Sequence, residues 1–388
     1  MYVLDRYIIT EQVKIFLLAT FVLFSVLALE KVNFLSNLLL TQHAPFSAVV
    51  KLALYISPTF LTLATPLAVL MSTLLLYSRL SADNEITAMR AGGVSMRRLM
   101  TPPLLLAIVA AAATLYLTVN LTHRGALAFR ATVIEILQTS FQLDVREGRF
   151  IDTVPGLVMR VERSDGDSLG GVFIADQRQP GPPTIIEARR GFLSTNPGRG
   201  MVNMILYEGM IHSTTETGAY RVIAFDLYTL GFDLSKKLDE PLEKEIPHLS
   251  LEELKARIAE LESKGEPADA ERVALYKKYS IPLGCLALAI LGVPVGIMTH
   301  KRGSAGGFGV GVLLIVLNYV LLMVGEGLGA GGKIPPEAAM WGPNIFLLAL
   351  GAYLVARVSR DTMPTRLEIW LAEAWRWLRR DIQEPRHD

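Results

Sequence analysis

The fold is decided by the polar segment SRLSADNEITAMRAGGVSMRR (Ser78–Arg98), which lies between two long apolar runs. Inside it, Ile86, Met89 and Val94 have the spacing of a small apolar helix face. A lone short amphipathic helix is marginally stable in water, but one held between two membrane spans can form a rigid knob at the membrane surface. The segment therefore predicts a short helix at about residues 81–92, with an ordinary loop as the alternative.

Both ends of this predicted helix carry terminal signals. Ser81 or Asp83 is suited to cap its start, and Asp83 and Glu85 lie where acidic side chains interact favourably with the helix macrodipole. Gly92-Gly93 predicts the end of the helix, because glycine adopts the left-handed conformation at little cost.

The rest of the chain is dominated by apolar runs. It has 388 residues, of which 51% are hydrophobic, and its mean hydropathy is +0.37. About 20 apolar residues cross the ~30 Å hydrocarbon core of a bilayer, so these runs predict a polytopic membrane protein with an uncleaved first span. The predicted spans are Val13–Leu29, Val49–Tyr77, Leu99–Thr122, Ile281–Thr299, Gly306–Val324 and Ala339–Val355.

Charge and cysteine content exclude several classes of protein. The formal net charge is +1, which gives no indication of nucleic-acid binding. Cys285 is the single cysteine and lies in an apolar run, so an internal disulfide and a cysteine-based metal or redox site are excluded. The six histidines are scattered without metal-ligand spacing, and the chain has no catalytic motif. We therefore expect no cofactor and no catalytic centre.

Between the third and fourth predicted spans the composition changes. Residues 123–143 predict a helix, and short alternating runs follow, separated by Pro- and Gly-rich turns; Met201–Tyr207 and Met210–Thr215 are two of seven such runs. Regularly spaced short strands predict an all-β sandwich or an open barrel. Residues 249–264 predict an amphipathic helix with a Ser250–Glu253 capping box.

The distribution of lysine and arginine in the short loops predicts the topology. These residues concentrate at both chain ends, in Ser78–Arg98 and at Lys301-Arg302, and are rare in the opposite short loops. Positive loops stay in the cytoplasm, so both termini are predicted to be cytoplasmic and the β-rich region periplasmic. The predicted regions are 1–122 with three spans, 123–279 with the β-domain and its flanking helices, 280–356 with three spans, and the basic cytoplasmic tail 357–388.

The polar residues near the spans include only a few candidates for a binding site. Residues 327–333 fit the first seven positions of a phosphate-binding loop, but Ile334 replaces the required Ser or Thr and no strand precedes them. Lys31 lies at the end of the first span, as either a snorkelling anchor or a cation for an anionic head group. Glu326 ends the fifth span, where an ionisable group needs a partner or a polar cavity. Three Gly-x-x-x-Gly pairs predict close helix packing, within the bundle or against a homologous partner.

Together these features resemble the lipopolysaccharide-export permease family, the LptF/LptG (YjgP/YjgQ) type, over nearly the whole chain. The resemblance rests on Val3–Ile8, on Asn84–Gly93, on Pro282 to Pro294-Val-Gly296, and on the layout of three spans, β-domain and three spans. The opening residues lean towards the G type without separating it from the F type. The resemblance implies an α+β membrane protein with six transmembrane helices (3+3) and an inserted periplasmic β-jellyroll-like domain.

The resemblance also implies a transport role in which the chain itself is not catalytic. Such a permease belongs to an ABC transporter that extracts lipopolysaccharide from the bacterial inner membrane. Its implied partners are a cytoplasmic ATPase dimer, a second homologous permease and a periplasmic β-jellyroll bridge protein. The first and fifth spans form lateral gates, and the helix at 81–92 is the coupling helix that fits a groove of the ATPase.

The resemblance carries particular roles onto single residues of this chain. Those assigned to ATPase coupling are Asp83, Glu85, Ile86, Met89 and Arg90. Glu85 is implied to meet an arginine of the ATPase. Lys31 matches a lysine that holds lipid A phosphate, whereas Thr59 stands where G-type members carry a second cavity lysine.

Two other functions stay open from the sequence. A secondary transporter of an amphiphile would need ionisable residues near the bilayer midplane, and the predicted spans have almost none. An envelope-assembly scaffold would bind proteins through the β-domain and use the spans as an anchor, although six spans exceed what anchoring requires.

Overall fold

The computed structural model describes residues 2–40, 44–144, 148, 150–154, 156–165, 168–178, 183–196, 201–214, 219–233, 249–299 and 303–359. The predicted basic tail from residue 360 onwards and Lys301-Arg302 lie outside these ranges. The helices are α1 (Tyr2–Leu40), α2 (Phe46–Ala82), α3 (Glu85–Ala91), α4 (Met96–Tyr116), α5 (Thr122–Asp144), α6 (Leu251–Lys264), α7 (Asp269–Met298), α8 (Gly303–Ala330) and α9 (Pro336–Ser359). The strands are β1 (Phe150–Val154), β2 (Leu157–Asp165), β3 (Ser168–Asp176), β4 (Thr184–Asn196), β5 (Met201–Thr214) and β6 (Tyr220–Asp233).

Within the described ranges, six helical segments are long and apolar enough to cross a membrane, which confirms the six predicted spans. The helices extend beyond the predicted apolar runs, since α1 has 39 residues and α2 has 37. At about 1.5 Å per residue, each is close to twice the length that the hydrocarbon core requires. The ends of these helices therefore extend past the apolar layer. α4, a π-helical turn (Leu117–Leu121) and α5 follow one another without a break.

The described chain divides into two compact units. The first, which we call the helical unit, contains the described residues of 2–27, 59–119 and 250–359. The second, which we call the β unit, contains those of 28–58 and 120–249. The long helices α1 and α2 thus contribute one end to each unit.

Glycines bring the helices of the helical unit into close contact. A Cβ atom at Gly292 would lie 3.1 Å from the Thr73 side chain, and one at Gly296 would lie 2.8 Å from the Leu74 carbonyl oxygen. The glycine pairs of α8 lie equally close to α2 (Gly307, Gly311) and to α9 (Gly325, Gly329). Small residues of this kind let helix backbones approach each other. All three Gly-x-x-x-Gly pairs therefore serve packing within the bundle, which was one of the two predicted roles.

Replacement of Gly296 by leucine is expected to disrupt this packing. The new Cβ would lie 2.8 Å from atoms of both Leu74 and Tyr77, so α7 would have to move away from α2. Overpacking of this kind costs about 1–3 kcal/mol or more, and we expect the melting temperature to fall by roughly 5 °C or more. Fluorescence-detected gel filtration of heated, detergent-purified protein measures it. Gly342→Leu is the matched control, because no atom lies within 4 Å of a Cβ there. Equal melting temperatures for the two variants would contradict the packing role.

The helix that precedes the fourth span begins as predicted. The Ser250 hydroxyl accepts a hydrogen bond from the Glu253 N–H, and the Glu253 carboxylate accepts one from the Ser250 N–H. This reciprocal pair satisfies two of the backbone donors that a helix start leaves open. The predicted capping box of α6 is therefore confirmed.

The β unit contains one six-stranded antiparallel sheet, whose strands are hydrogen-bonded in chain order from β1 to β6. One face is buried, and only strand residues form its apolar cluster. The buried members are Leu157, Met159, Val161, Leu169, Val172, Ile174, Ile186, Ala188, Leu193, Met204, Leu206 and Leu230. A flat sheet would leave this face in water, so the sheet must curve around its own side chains. The inserted β-domain is confirmed, and its described strands form one sheet rather than the two sheets of a sandwich.

Strand β5 differs from the sequence prediction. The sequence predicts separate strands at Met201–Tyr207 and Met210–Thr215, but β5 runs through both. Glu208 has a φ of 54°, so the backbone bends there. The register with β4 and β6 is the same on both sides of the bend. The prediction of two strands is wrong, because the bend changes the chain direction without ending the ladder.

The remaining helices of the β unit form their own apolar cluster. Phe129 and Val133 of α5 pack with Leu38 of α1 and Leu52 of α2. A Cβ at Gly125 would lie 2.3 Å from the Tyr55 carbonyl oxygen, so only glycine permits α5 to lie this close to α2.

Candidate functional site

The predicted knob is a helix, α3, and its start differs from the prediction. Helix α2 continues to Ala82, so Ser81 lies inside it and donates a hydrogen bond to the Ile297 carbonyl oxygen at 3.2 Å. Asn84 is the residue before α3; its φ is 59°, and its side chain makes no capping hydrogen bond. The prediction that Ser81 or Asp83 caps the helix is therefore wrong. The chain instead reverses through a left-handed residue, which asparagine tolerates well.

The end of α3 agrees with the prediction. Gly93 has a φ of 85°, its N–H bonds the Arg90 carbonyl at 2.9 Å, and the Val94 N–H bonds the Met89 carbonyl at 3.0 Å. These two bonds are those of a Schellman motif, which satisfies the last open carbonyls of a helix. The Gly92-Gly93 pair thus fixes where α3 ends.

The apolar face of α3 is buried in the helical unit. Ile86 is 3% exposed, and Met89 and Val94 pack partly buried against the same cluster. That cluster also holds residues of α1, α2, α4, α7 and α9: Ile8, Leu76, Tyr77, Leu80, Met96, Leu99, Met100, Val293, Ile297 and Val358. The predicted apolar face is confirmed. Ile86 and Met89 therefore hold the helix in place.

The opposite face of α3 is accessible to solvent. Asp83, Thr87 and Ala91 are exposed, and Glu85 and Arg90 are half-buried. Of the five residues predicted to couple to an ATPase, the structure places Asp83, Glu85 and Arg90 where a partner can contact them. It places Ile86 and Met89 on the inner side.

Polar contacts tie the first turns of α1 to the elements around α3. The Tyr7 hydroxyl donates to Glu85 Oε1 at 3.4 Å, and Arg98 forms an ion pair with Asp5. Glu11 binds Arg79 at 3.2 Å. Single exposed ion pairs contribute little, but several in one place form a network. A movement of α3 would therefore also act on α1.

A buried hydrogen bond lies deeper in the same contact between helices. Gln12 of α1 is fully buried, and its amide nitrogen donates to the Thr73 hydroxyl of α2 at 2.9 Å. A bond of this kind between helices is worth about 1 kcal/mol and fixes their register. Sequence reasoning missed it, because Gln12 lies outside the run taken as the first span.

Lys31, the predicted head-group lysine, lies in the part of α1 that belongs to the β unit. Its side chain is 36% exposed, and its Nζ lies 3.3 Å from Glu30 Oε1. An anionic ligand would therefore compete with the Glu30 carboxylate for this ammonium group.

The other polar candidates of the spans have structural explanations. Glu326 of α8 accepts two hydrogen bonds from Lys277 Nζ of α7, each at 2.7 Å. This pair meets the predicted need of Glu326 for a partner. The apparent phosphate-binding loop has the wrong structure, because Gly327 to Ala330 continue α8.

The described spans differ widely in how much of them is enclosed, and α1 and α8 are the least enclosed. In the most apolar window of each span, 6% of α1 and 17% of α8 is buried, compared with 22% of the third span, 33% of α9, 67% of α7 and 72% of α2. The large exposed side chains of α1 include Leu17, Leu18, Phe21, Val22 and Val26, and those of α8 include Leu313, Val316, Val320, Met323 and Val324. Both spans therefore present apolar surface for lipid or for another membrane protein.

A groove crosses the β-sheet on the face opposite its apolar cluster. One aligned position in five strands, from β2 to β6, is left out of the pairing between neighbouring strands. The residues at this position are Glu162, Gly171, Arg189, Glu208 and Asp226. The register is unchanged on both sides of this line, and Gly171 has a φ of 63°. The bend lets two successive residues, Arg189 and Arg190, both reach Glu208, at 3.6 and 2.9 Å. The groove has a volume of about 840 Å³ and a lining of mixed charge. No sequence pattern indicates this groove, because it depends on residues of different strands lying side by side.

An ion pair fixes the end of β3 in the same sheet. Arg178 Nη2 donates to Asp176 Oδ2 at 2.5 Å, and Nη1 donates to the Gly231 carbonyl oxygen at 3.3 Å. The Arg178 guanidinium holds the pKa of the Asp176 carboxyl below its usual value. The contact joins the end of β3 to β6.

The fold and these surfaces define the class of protein. The described residues form six spans, of which α1 and α8 are the least enclosed, a β-domain between the third and fourth spans, and an anchored helix between the second and third. These are the parts of a membrane transport subunit. No group of three or more His, Cys, Asp or Glu residues suited to a metal ion occurs in the described part of the chain.

Comparison with known proteins gives the family. The model of the lipopolysaccharide export system permease LptF/LptG matches residues 6–357, and the chain belongs to this family. It is 22% identical to the lipopolysaccharide export system permease protein LptF of Escherichia coli K12 over 370 residues, which cover 94% of this chain and 96% of that protein. The LptF proteins of Escherichia coli O157:H7 and Shigella flexneri match with the same identity and coverage. The chain is thus a multi-pass inner-membrane permease of lipopolysaccharide export.

Proposed function

We propose that this permease extracts lipopolysaccharide from the inner membrane and passes it to a periplasmic bridge protein, driven by a separate cytoplasmic ATPase dimer that docks on α3. The observation that carries the proposal is the construction of α3. Its apolar face is anchored against five other helices, while Asp83, Glu85 and Arg90 lie on the accessible side. A helix held in this way can transmit a push from a partner to the spans instead of yielding to it.

The proposal requires α3 to face the cytoplasm. The concentration of lysine and arginine in Ser78–Arg98 and at both chain ends supports this orientation, and it puts the β-domain in the periplasm. The ATP-binding function then belongs to the partner, because residues 327–333 are not a phosphate-binding loop and would lie on the opposite side of the membrane.

A second homologous permease is the partner proposed for the spans. The exposed apolar surfaces of α1 and α8, the first and fifth spans, support pairing through these two helices. Since neither is enclosed by its own bundle, each can separate from a partner without breaking the core of the chain. Such a seam can open sideways to admit a lipid.

The bridge protein is proposed to dock on an edge of the β-sheet. Strand β6 forms one edge and has 14 residues, with Val222, Ile223 and Leu227 exposed. Exposed edge strands with apolar side chains pair readily with another strand. A β-jellyroll partner could extend the sheet there.

The proposed function is tested with the purified chain, its partner permease and the ATPase in proteoliposomes that contain lipopolysaccharide. We expect lipopolysaccharide to reach an added soluble bridge protein only when ATP is present. Transfer driven by an ion gradient in the absence of the ATPase would contradict the proposal.

Lys31 is proposed to bind a phosphate of the lipid A head group. We expect Lys31→Glu to lower ATP-dependent transfer several-fold but not to abolish it, because the lysine is half-exposed and Glu30 already lies 3.3 Å away. The measurement is the initial rate of transfer in the proteoliposome assay. Lys51→Glu, a charge reversal at an exposed lysine of α2, is the control. Equal rates for Lys31→Glu and the unmodified chain would show that Lys31 is only a membrane anchor.

A further inference from the structure

A small cavity lies inside the helical unit, enclosed by five helices: α1, α2, α7, α8 and α9. Its volume is about 60 Å³, and most of its wall is aliphatic, including Leu27, Leu63, Leu67, Leu288 and Leu322. One water occupies at least ~10–15 Å³ on this measure, so the cavity can hold a few waters or a short stretch of hydrocarbon chain. It cannot hold a lipid head group.

Two buried asparagines and Tyr319, whose side chain is 50% exposed, interrupt this aliphatic wall. Asn318 of α8 is 5% exposed and Asn344 of α9 is 9% exposed, and both line the cavity. The Asn344 amide nitrogen donates to the Ser280 carbonyl at 2.6 Å and to the Ser280 hydroxyl at 3.0 Å. Its own carbonyl oxygen then points towards Gly284, another residue of the cavity wall. Asn344 is therefore fixed, with an acceptor at the cavity.

Asn318 has no such partner. None of the hydrogen bonds of the described residues involves its side chain, although it is 95% buried and lies inside a membrane span. An amide with no hydrogen bond in hydrocarbon costs several kcal/mol, so a polar group that reached Asn318 through the cavity would stabilise it. The amide carries both a donor and an acceptor, so it can bind a hydroxyl or a carbonyl.

The cavity has one loosely packed wall. α1 contributes Leu27, and only 6% of the most apolar window of this helix is buried. An occupant can therefore enter from the lipid side without disturbing the packing of α2 against α7. An occupant that suits both the aliphatic lining and the asparagines has an apolar body and a single hydrogen-bonding group.

We propose that this cavity is a binding subsite for an acyl chain that carries a hydroxyl or a carbonyl group, with Asn318 as the residue that binds this group. The inference rests on the proposed function, because it takes the chain to be part of the exported lipopolysaccharide. The ester carbonyl of a membrane phospholipid has the same chemistry, so the experiment must separate the two lipids.

The experiment uses the full complex in nanodiscs that contain both lipopolysaccharide and phospholipid. A photo-crosslinking amino acid at Leu322, in the cavity wall one turn from Asn318, reports the occupant. We expect lipopolysaccharide to crosslink there, and Asn318→Leu to lower its yield about three- to tenfold. Asn318→Ser, which replaces the amide with a hydroxyl that can still donate and accept a hydrogen bond, should restore part of the yield. Phospholipid crosslinks should be unchanged.

Three results would overturn the inference. They are a phospholipid crosslink without lipopolysaccharide, no lipid crosslink at Leu322, and equal lipopolysaccharide yields with and without Asn318→Leu. Each of these results counts against the inference only if the unmodified complex still transfers lipopolysaccharide with ATP. Failure of that transfer counts instead against the proposed function. Unchanged copurification of the partners and unchanged ATPase activity confirm that Asn318→Leu is folded.

Discussion

Glu85→Arg is expected to abolish ATP-dependent export without unfolding the chain. Glu85 lies on the accessible side of α3, and its one described hydrogen bond is the long 3.4 Å contact from the Tyr7 hydroxyl. The bundle therefore loses little when this side chain changes. The proposed ATPase contact loses much more, because the family resemblance implies an arginine of the ATPase opposite Glu85, and like charges brought together at an interface cost several kcal/mol. We expect copurification of the ATPase to fall at least about tenfold and lipopolysaccharide transfer to stop.

Two controls separate coupling from other effects of this substitution. Glu266→Arg makes the same charge change at an exposed position after α6 and should leave assembly and transfer unchanged. Tyr7→Phe removes the hydrogen bond to Glu85 without changing charge. It should have a minor effect on transfer if Glu85 acts by contacting the ATPase. Normal ATPase copurification with Glu85→Arg would contradict docking on α3. Loss of the chain itself from the membrane would indicate a structural role.

The membrane architecture could be predicted because its signal is local. An apolar run of about 20 residues is long enough to span the bilayer wherever it occurs, and all six predicted spans are present. The ends of the helices could not be predicted in the same way. The first turns of α1 are polar, and they stay helical because Ile8 is buried and Asp5 pairs with Arg98, a residue 93 positions away.

The two ends of α3 show the same division between local and distant causes. Gly92-Gly93 predicts the end correctly, since a glycine that takes a positive φ is a property of the residue itself. The start depends on how far α2 continues, and Ser81 keeps α2 helical by bonding to Ile297, which is 216 residues away. Ser81 is therefore predicted as a cap because it is close to α3 in the sequence, but its contact with Ile297 makes it part of α2.

The β-domain was predictable from alternation but not in its detail. Alternating runs indicate strands, yet Glu208 looks like an interruption in sequence and is a bend within one strand in the structure. What keeps β5 continuous is its ladder with β4 and β6 on both sides of the bend. The continuity of β5 therefore depends on residues of the neighbouring strands, which the sequence of β5 alone does not contain.

A disulfide across the proposed seam is expected to stop export reversibly. Cys285 is the only cysteine and is buried, so a Cys285→Ala background lets a single new cysteine be followed. Val22 of α1 is 50% exposed, and we expect Val22→Cys to form a disulfide with a cysteine introduced in the fifth span of the partner permease. The bond requires the two Cα atoms to approach within about 4.4–6.8 Å, so it forms only where the helices are neighbours. Nonreducing gels measure the crosslink, and the proteoliposome assay measures transfer.

The disulfide is expected to have a large effect on transfer because little of α1 is enclosed by its own bundle. If α1 separates from its partner in every cycle, a covalent bond holds the seam shut, and transfer should fall to the level without ATP and return after reduction. Phe346→Cys in α9 is the control, because that side chain is 53% exposed but belongs to a span outside the proposed seam. It should give no crosslink to the partner's fifth span. A crosslink from Phe346 without one from Val22, or full transfer with the Val22 disulfide formed, would mean that α1 is a fixed, lipid-facing helix and not a gate.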